Sequence, residues 1–350
     1  MNNTRLLILT QAVDASDPVL GFFHNWIREL AQTHSSIVVI CLKKGMYTLP
    51  ENVSVHSLGK EDGCSRLTYV RRFFRYVWNA RSKYDTVFVH MNEEYVLLGG
   101  LLWRLLGKQI TMWRNHARGT WKTRMAVFLC HTVFCASLQS FTARFKKTHI
   151  MPVGIDTSVF HPLSLSRDRT TILYIGRVSR VKRIEVLIDA CMHVAQSGNR
   201  VSLAFYGPVL DTVYFEELKE RIRTNGLEKV ITFHAEVTQA VLPELYATHG
   251  ICVNTTDSGS FDKTILEGAC CEIVPLASNT NWSALVGQKW DCFVTFREYD
   301  ADDLAKKILQ IYALSDDEYV RMTQDLARMT RDTHSLRALV TRITPYLCKK

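Results

Sequence analysis

The stretch TTILYIGRVSRVKRIEVLIDA, residues Thr170–Ala190, decides the fold of the second half of this chain. Its first apolar run, Ile172–Ile175, is short and contains β-branched residues, which predicts a buried strand. Gly176 ends the run, and from Ile184 onward apolar residues recur with the 3.6-residue period of a helix. The stretch therefore predicts a strand, a glycine turn, a cationic loop and a helix. Open α/β sheets bind ligands where a strand ends beside a helix start.

Two cations in this loop, Arg177 and Lys182, suit an anionic ligand. A guanidinium offers a planar fork and an ammonium offers a compact charge, so together they fit a phosphate or diphosphate. The alternative interpretation is that both side chains are ordinary solvated loop cations.

The segment Gly176–Ala190 resembles the G-R-[LV]-x-x-x-K-x-x-x-x-L-I-x-A stretch of retaining glycosyltransferases of family 4, which have the GT-B fold. The resemblance implies that Arg177 and Lys182 hold the diphosphate of a nucleotide-sugar donor. The segment HIMPVGIDTSVFHP (149–162) is similar to the linker between the two halves of these enzymes. In that linker Gly154 would bring the backbone close to the ligand, and Asp156 would tie the linker to one domain.

A second segment, Thr255–Ala269 (TTDSGSFDKTILEGA), combines turn-forming residues with the start of a predicted helix. Helix N–H groups and the helix dipole suit a bound anion or sugar hydroxyls, and Glu267 suits the vicinal hydroxyls of a ribose. The alternative for Glu267 is an ordinary helix-surface carboxylate. The segment resembles the donor loop of family 4, in which Glu267 would be the second Glu of the E-x7-E motif. Gly259 stands at the position of the first Glu, which leaves Ser260, Asp262, Lys263 and loop amides as candidates for the sugar hydroxyls. The full predicted donor set is Gly154, Gly176, Ser258, Gly259, Ser260, Phe261, Asp262, Lys263, Ile265, Leu266 and Glu267.

Polar residues after the predicted strands of the first half form the predicted acceptor side. His116 follows the strand that ends at Trp113, where the family often has W-x-x-H, and would contact the transferred sugar or the acceptor. A lone histidine is more often structural, and that alternative stays open here. The other acceptor-side residues are Asp17, Gly21, Phe22 and Asn92.

The length of 350 residues exceeds one ordinary core and predicts two domains of about 150–200 residues each. Strands alternate with helices in both halves, which predicts an α/β protein with doubly wound parallel sheets. We expect a Rossmann-like acceptor-side domain over 1–160 and a Rossmann-like donor domain over 161–334. A last helix over 335–350 would cross back to the first domain. With the resemblance, this is a GT-B protein with its two domains facing across a cleft.

The positive charge of the chain is concentrated in its first half. Residues 1–160 contain 20 Lys and Arg against 10 Asp and Glu. Residues 161–350 contain 23 Lys and Arg against 24 Asp and Glu. The segment Arg66–Trp78 has helical period. Its predicted apolar face carries Leu67, Val70, Phe74, Val77 and Trp78, and Arg71, Arg72 and Arg75 are predicted opposite. Such a helix either lies on an anionic membrane surface or packs its apolar face on the sheet.

These observations predict a retaining glycosyltransferase that moves a hexose from a UDP- or GDP-sugar to a hydroxyl of a glycan or lipid-linked acceptor, in cell-envelope or exopolysaccharide synthesis. Cysteine spacing fits no zinc site, the longest apolar run is well short of the ~20 residues of a membrane span, and no leader opens the sequence. We therefore expect a cytoplasmic protein with peripheral contact to the inner face of the membrane. Two cations can replace a divalent ion at a diphosphate, so we expect no metal and no cofactor. The alternatives are a catalytically degenerate GT-B partner subunit and, more remotely, a nucleic-acid binder, for which no recognition motif is found.

Overall fold

The computed structural model describes residues 4–17, 19–257, 259 and 261–348. It divides the chain into two units, the first comprising Met1–Asp156 with Leu336–Lys350 and the second Thr157–Ser335. The predicted domain boundaries lie within a few residues of this division. Each unit is built around one parallel β-sheet with helices on its faces.

The first unit contains a seven-stranded parallel sheet in the order β3-β2-β1-β4-β5-β6-β7. The order reverses direction between β1 and β4, which are hydrogen-bonded neighbours. Its strands are β1 (Arg5–Val13), β2 (Ser36–Lys44), β3 (Val53–Ser57), β4 (Thr86–His90), β5 (Gln109–Trp113), β6 (Thr132–Cys135) and β7 (Thr148–Ile150). Its helices are α1 (Gly21–Ala31), α2 (Arg66–Asn79), α3 (Glu93–Leu105), α4 (Trp121–Leu129) and α12 (Leu336–Leu347).

One core joins α2, α3 and α4 to the sheet of the first unit. Phe73, Val77, Trp103 and Val127 from these helices share a buried cluster with alternate strand residues. The C-terminal helix α12 returns to this unit and packs beside α1.

The second unit contains a five-stranded parallel sheet in the order β10-β9-β8-β11-β12. Its strands are β8 (Asp168–Ile175), β9 (Ser202–Tyr206), β10 (Ile231–His234), β11 (His249–Asn254) and β12 (Val274–Ala277). Its helices are α5 (Ile184–Gln196), α6 (Thr212–Thr224), α7 (Leu242–Thr248), α8 (Lys263–Cys270), α9 (Thr280–Val294), α10 (Ala301–Tyr312) and α11 (Asp316–His334).

The parallel α/β class predicted for both halves is confirmed by these two sheets. The sequence patterns missed two elements, β7 and α9. A left-handed glycine, Gly287 with φ 62°, interrupts α9 and breaks its helical period. Within the described residues, every helix is too short or too polar to cross a membrane.

The predicted faces of α2 need correction. Its buried side chains are Phe73 and Val77, whereas three apolar side chains predicted to pack on the sheet are exposed. Apolar and basic residues therefore share the outward face instead of lying on opposite sides. This outward face carries Leu67, Phe74 and Trp78 together with Arg71 and Arg75.

Candidate functional site

A cluster of polar side chains in the second unit lies where its strand order reverses. β8 and β11 are hydrogen-bonded neighbours, and the chain leaves the sheet after Ile175 on one and Asn254 on the other. Because parallel strands end at the same edge, the loops after both strands meet there. This is the place that the sequence predicts for an anionic ligand.

Lys182 and Asp262 connect the two loops directly. The Lys182 Nζ donates to Asp262 Oδ2 at 2.6 Å and to Thr256 Oγ1 at 3.0 Å. Asn254 Nδ2 also donates to Asp262 Oδ2, at 3.0 Å. Burial acts to raise the pKa of Asp262, but the Lys182 ammonium and the hydrogen bonds from Asn254 and Thr256 outweigh it, so the pKa is lowered. Lys182 is therefore held in place by a charged carboxylate. The sequence offered one signal for the partners Asn254 and Thr256, a polar run directly after an apolar strand.

Asp262 is also the residue that precedes helix α8. An aspartate at this position normally accepts a hydrogen bond from the first turn of the helix. Among the described residues its side chain makes no such bond, because the carboxylate is turned to Lys182. The first N–H groups of α8 therefore lack this cap, and they directly follow the residue that pairs with Lys182. Both features favour an anion at this edge.

Arg177 is exposed immediately after Gly176 and differs from the other cations of its loop. Among the described residues no acidic side chain lies within ion-pair distance of Arg177. Gly207, directly after β9, leaves room for the turn at Gly176 and Arg177. A β-carbon at Gly207 would lie 2.1 Å from the Gly176 carbonyl oxygen. The neighbouring strand thus fixes the backbone from which Arg177 projects.

The other two arginines of the loop have structural partners. Arg180 pairs with Glu217 at 2.5 Å. Arg183 has a left-handed φ of 49° at the start of α5 and lies over the Tyr299 ring, 5.0 Å from its centroid. Its Nε is 3.7 Å from Asp257 Oδ1. Nothing in the sequence indicated Tyr299, which is distant along the chain and reaches the loop only through the fold.

Glu267 lies one turn into α8 and is buried, with 6% of its surface exposed. Burial raises the pKa of Glu267 to about 7, against a smaller lowering by the charge of Lys263 one turn earlier. Burial likewise lowers the pKa of Lys263. The solvated helix-surface alternative for Glu267 is therefore wrong, and its carboxyl is a buried acceptor at the same edge of the sheet.

This buried carboxyl predicts a pH dependence of stability. Because the pKa of Glu267 is raised in the folded chain from 4.5 to about 7, the folded state retains a proton that the unfolded state loses between these pH values. The free energy of unfolding should therefore fall by about 1–3 kcal/mol as pH rises through this window. Denaturant titrations of the wild type and of Glu267→Gln at several pH values measure this change in the free energy of unfolding. The variant should flatten the fall, whereas Glu244→Gln, on the exposed surface of α7, should preserve it; an unchanged slope in Glu267→Gln would contradict the assignment.

Several predicted donor residues have side chains in the core. Phe261, Ile265 and Leu266 are buried at 4%, 1% and 0% exposure, so only their backbone groups remain candidates for a ligand contact. Gly154 belongs to the first unit, where its missing side chain makes room for Trp26 and Leu339. The expected close approach is therefore to protein side chains. Gly259 lies in the turn before α8, while Ser258 and Ser260 fall outside the described residues.

The predicted acceptor-side residues of the first unit gather at its own reversal of strand order. Asp17 and Gly21 follow β1, and Asn92 follows β4. Asp17 Oδ1 accepts hydrogen bonds from the N–H groups of Val19 and Leu20, at 3.0 and 2.8 Å, so its carboxylate shapes the loop before α1. The Phe22 ring lies edge-on to the ring of His90, 5.9 Å between centroids.

His116 follows β5 and is exposed at the same edge of the first sheet. His116 Nδ1 lies 3.0 Å from both the N–H and the carbonyl oxygen of Arg118, so the Arg118 backbone engages this nitrogen and Nε2 stays outside the contact. The loop around it is braced by Arg114, whose Nε lies 2.6 Å from the buried Glu93 carboxylate. His116 is therefore exposed at this edge, and its contact with a sugar or acceptor hydroxyl stays a prediction.

Comparison with known proteins places the second unit in a family. Residues 158–329 match the family described as glycosyl transferases group 1. The second unit is a group 1 glycosyl transferase domain. The resemblance of Gly176–Ala190 and Thr255–Ala269 is confirmed at the level of this family.

Two curated relatives match part of the chain. Mannosylfructose-phosphate synthase of Agrobacterium fabrum is 28% identical over 145 residues, which cover 37% of this chain and 32% of that protein. D-inositol 3-phosphate glycosyltransferase of Arthrobacter sp. is 26% identical over 142 residues, covering 37% and 34%. The chain thus spans about a third of the length of these relatives.

Solved structures extend the comparison of the fold to nearly the whole chain. The Anabaena protein Alr3699/HepE in complex with UDP and glucose is 15% identical, with a TM-score of 0.75 over 98% of this chain and 99% of that chain. The same protein in complex with UDP-glucose gives a TM-score of 0.76 at the same coverage. This likeness confirms the predicted GT-B fold class.

Proposed function

We propose that this protein is a retaining glycosyltransferase that transfers a hexose from a UDP- or GDP-sugar to a hydroxyl of a glycan or lipid-linked acceptor. The observation that carries the proposal is that Lys182, the start of α8 without a cap from the Asp262 side chain, and the buried Glu267 belong to one edge of the second sheet. Membership of the second unit in the group 1 family and the likeness to a protein solved with UDP-glucose support a nucleotide-sugar donor.

The chemistry of such a transfer suits the residues found here. As the sugar leaves its diphosphate, positive charge develops on the ring and negative charge on the leaving oxygen. Fixed cations and amide donors at the leaving group lower this barrier because they need little reorganisation. Arg177, Lys182 and the α8 N–H groups would supply them, and Glu267 would accept hydrogen bonds from the ribose hydroxyls. His116 would contact the sugar or the acceptor.

The charge of the first half of the chain supports an anionic acceptor. Between Tyr95 and Ile155 the sequence contains nine Lys and Arg and no Asp or Glu. A surface of this kind attracts anionic partners. We therefore propose a phosphate-bearing, lipid-linked or otherwise anionic cell-envelope glycan as the acceptor, reached from the cytoplasmic side of the membrane.

A donor panel tests the proposal. Thermal shift and calorimetry with UDP- and GDP-sugars should select one donor, and product analysis with that donor should show transfer with retained anomeric configuration. We also expect transfer to persist in excess chelator, since protein cations would serve the diphosphate. An absence of donor binding across the panel, or inversion of the anomeric centre, would contradict the proposal.

A second candidate function is a catalytically degenerate binding or partner subunit. Gly259 at the position of the first Glu of the motif favours it, because the sugar hydroxyls lose a carboxylate acceptor. Donor binding without hydrolysis or transfer in the same assays would select this candidate over the enzyme.

A further inference from the structure

The outward faces of α2, α3 and α4 in the first unit carry an unusual density of apolar side chains. Among the described residues 22 large hydrophobic side chains are exposed, and nine of them lie on these three helices. They recur at helical spacing, so each helix presents one apolar stripe. The nine are Leu67, Phe74 and Trp78 on α2, Leu98, Leu101 and Leu105 on α3, and Trp121, Met125 and Phe128 on α4.

The three helices form one layer, so the stripes face the same side. The Phe73 ring of α2 lies 5.9 Å from Trp103 of α3. Gly100 of α3 lets Leu129 of α4 approach, since a β-carbon at Gly100 would lie 3.0 Å from a Leu129 methyl. Arg104 then ties the ends of α3 and α4 by donating to the carbonyl oxygens of Leu129 and Phe128 at 3.0 and 3.2 Å. We call this outer face the α2–α4 surface.

Positive charge surrounds the apolar stripes. Neither α2 nor α4 contains an acidic residue. On α3, Glu93 is buried against Arg114, which leaves Glu94 as the exposed carboxylate of the three helices. The exposed cations on them are Arg66, Arg71, Arg75, Arg104, Lys122 and Arg124.

We propose that the α2–α4 surface docks on an anionic phospholipid bilayer. Exposed Trp, Phe and Leu side chains would enter the interface while Arg and Lys meet the lipid phosphates, as in helices that lie in a membrane surface. A second copy of the chain fits less well as the partner. Two such surfaces in contact would place exposed cations against each other, and Glu94 is the one exposed carboxylate on the three helices that could balance them. The proposal does not depend on the transferase activity, since docking needs neither donor nor acceptor.

Vesicle flotation of the full chain tests the apolar part. We expect the chain to bind vesicles made of equal parts phosphatidylglycerol and phosphatidylcholine. We expect no binding to vesicles of phosphatidylcholine alone. The double variant Trp121→Ser, Phe128→Ser should lose affinity by about tenfold or more. The matched control is Val213→Ser with Val320→Ser, which removes exposed apolar side chains of the second unit and should bind as wild type does. Thermal melting of all variants checks that each remains folded.

Charge variants test the electrostatic part. Arg71→Gln with Arg75→Gln should lower affinity roughly thirtyfold at low salt, and added salt should lower wild-type binding similarly. The control, Lys229→Gln with Lys306→Gln, removes two exposed cations of the second unit and should change little. Wild-type affinity in the α4 variant, equal binding to neutral vesicles, or self-association that the same substitutions abolish would overturn the proposal.

Discussion

Replacing Lys182 with alanine is expected to weaken binding of UDP or GDP by about 1.5–3 kcal/mol, the range for a hydrogen bond to a charged group. The same change should lower the free energy of unfolding by about 1–3 kcal/mol. The second effect arises because Asp262, with 19% of its side chain exposed, would lose the ammonium 2.6 Å away and stay largely buried. Isothermal calorimetry and denaturant unfolding measure the two effects separately.

Three further variants separate binding from stability at this site. In the double variant Lys182→Ala, Asp262→Ala the stability should largely return while nucleotide binding stays weak. Arg177→Ala should weaken binding with little loss of stability, because Arg177 is exposed and forms no ion pair among the described residues. Arg180→Ala, an exposed cation of the same loop paired with Glu217, should change neither. Unchanged nucleotide binding in the Lys182 and Arg177 variants would contradict the proposal that the diphosphate binds at this edge of the sheet.

Replacing Gly154 with alanine is expected to lower the free energy of unfolding by about 2–5 kcal/mol. Gly154 has φ 81°, which costs a side-chain-bearing residue about 1–2 kcal/mol. The new β-carbon would also lie 2.6 Å from Leu339 and 2.9 Å from Trp26, and overpacking of this kind costs about 1–3 kcal/mol. Denaturant unfolding followed by circular dichroism gives the value.

Gly198 provides the matched control for this prediction. It has nearly the same backbone, φ 79°, and its β-carbon would meet no described atom within 4 Å. Gly198→Ala should therefore show the backbone cost alone, about 1–2 kcal/mol. Equal losses in the two variants would refute the packing role of Gly154. Nucleotide binding by folded Gly154→Ala should match wild type, whereas a ligand contact at Gly154 would weaken it.

The architecture could be predicted from the sequence because it follows from local patterns. Apolar runs such as Ile172–Ile175 and the helical period after Ile184 specify strands and helices without reference to distant residues. The two candidate cations could be selected for the same reason, since Arg177 and Lys182 follow a strand and a glycine within one short segment. The two missed elements, β7 and α9, are a three-residue strand and a helix interrupted at Gly287, where local periodicity is weakest.

Tertiary structure alone decided the partners of these residues. The contact of Lys182 with Asp262 joins positions 80 residues apart, and Tyr299 reaches Arg183 from still further along the chain. The need for glycine at position 154 arises from α12, which returns from the end of the chain and packs Leu339 against it. Helix α2 exposes arginines and two of its aromatic side chains on the same side. Periodicity along one segment records which residues share a face. It does not record which face the rest of the fold covers, and that depends on packing between segments that are distant in sequence.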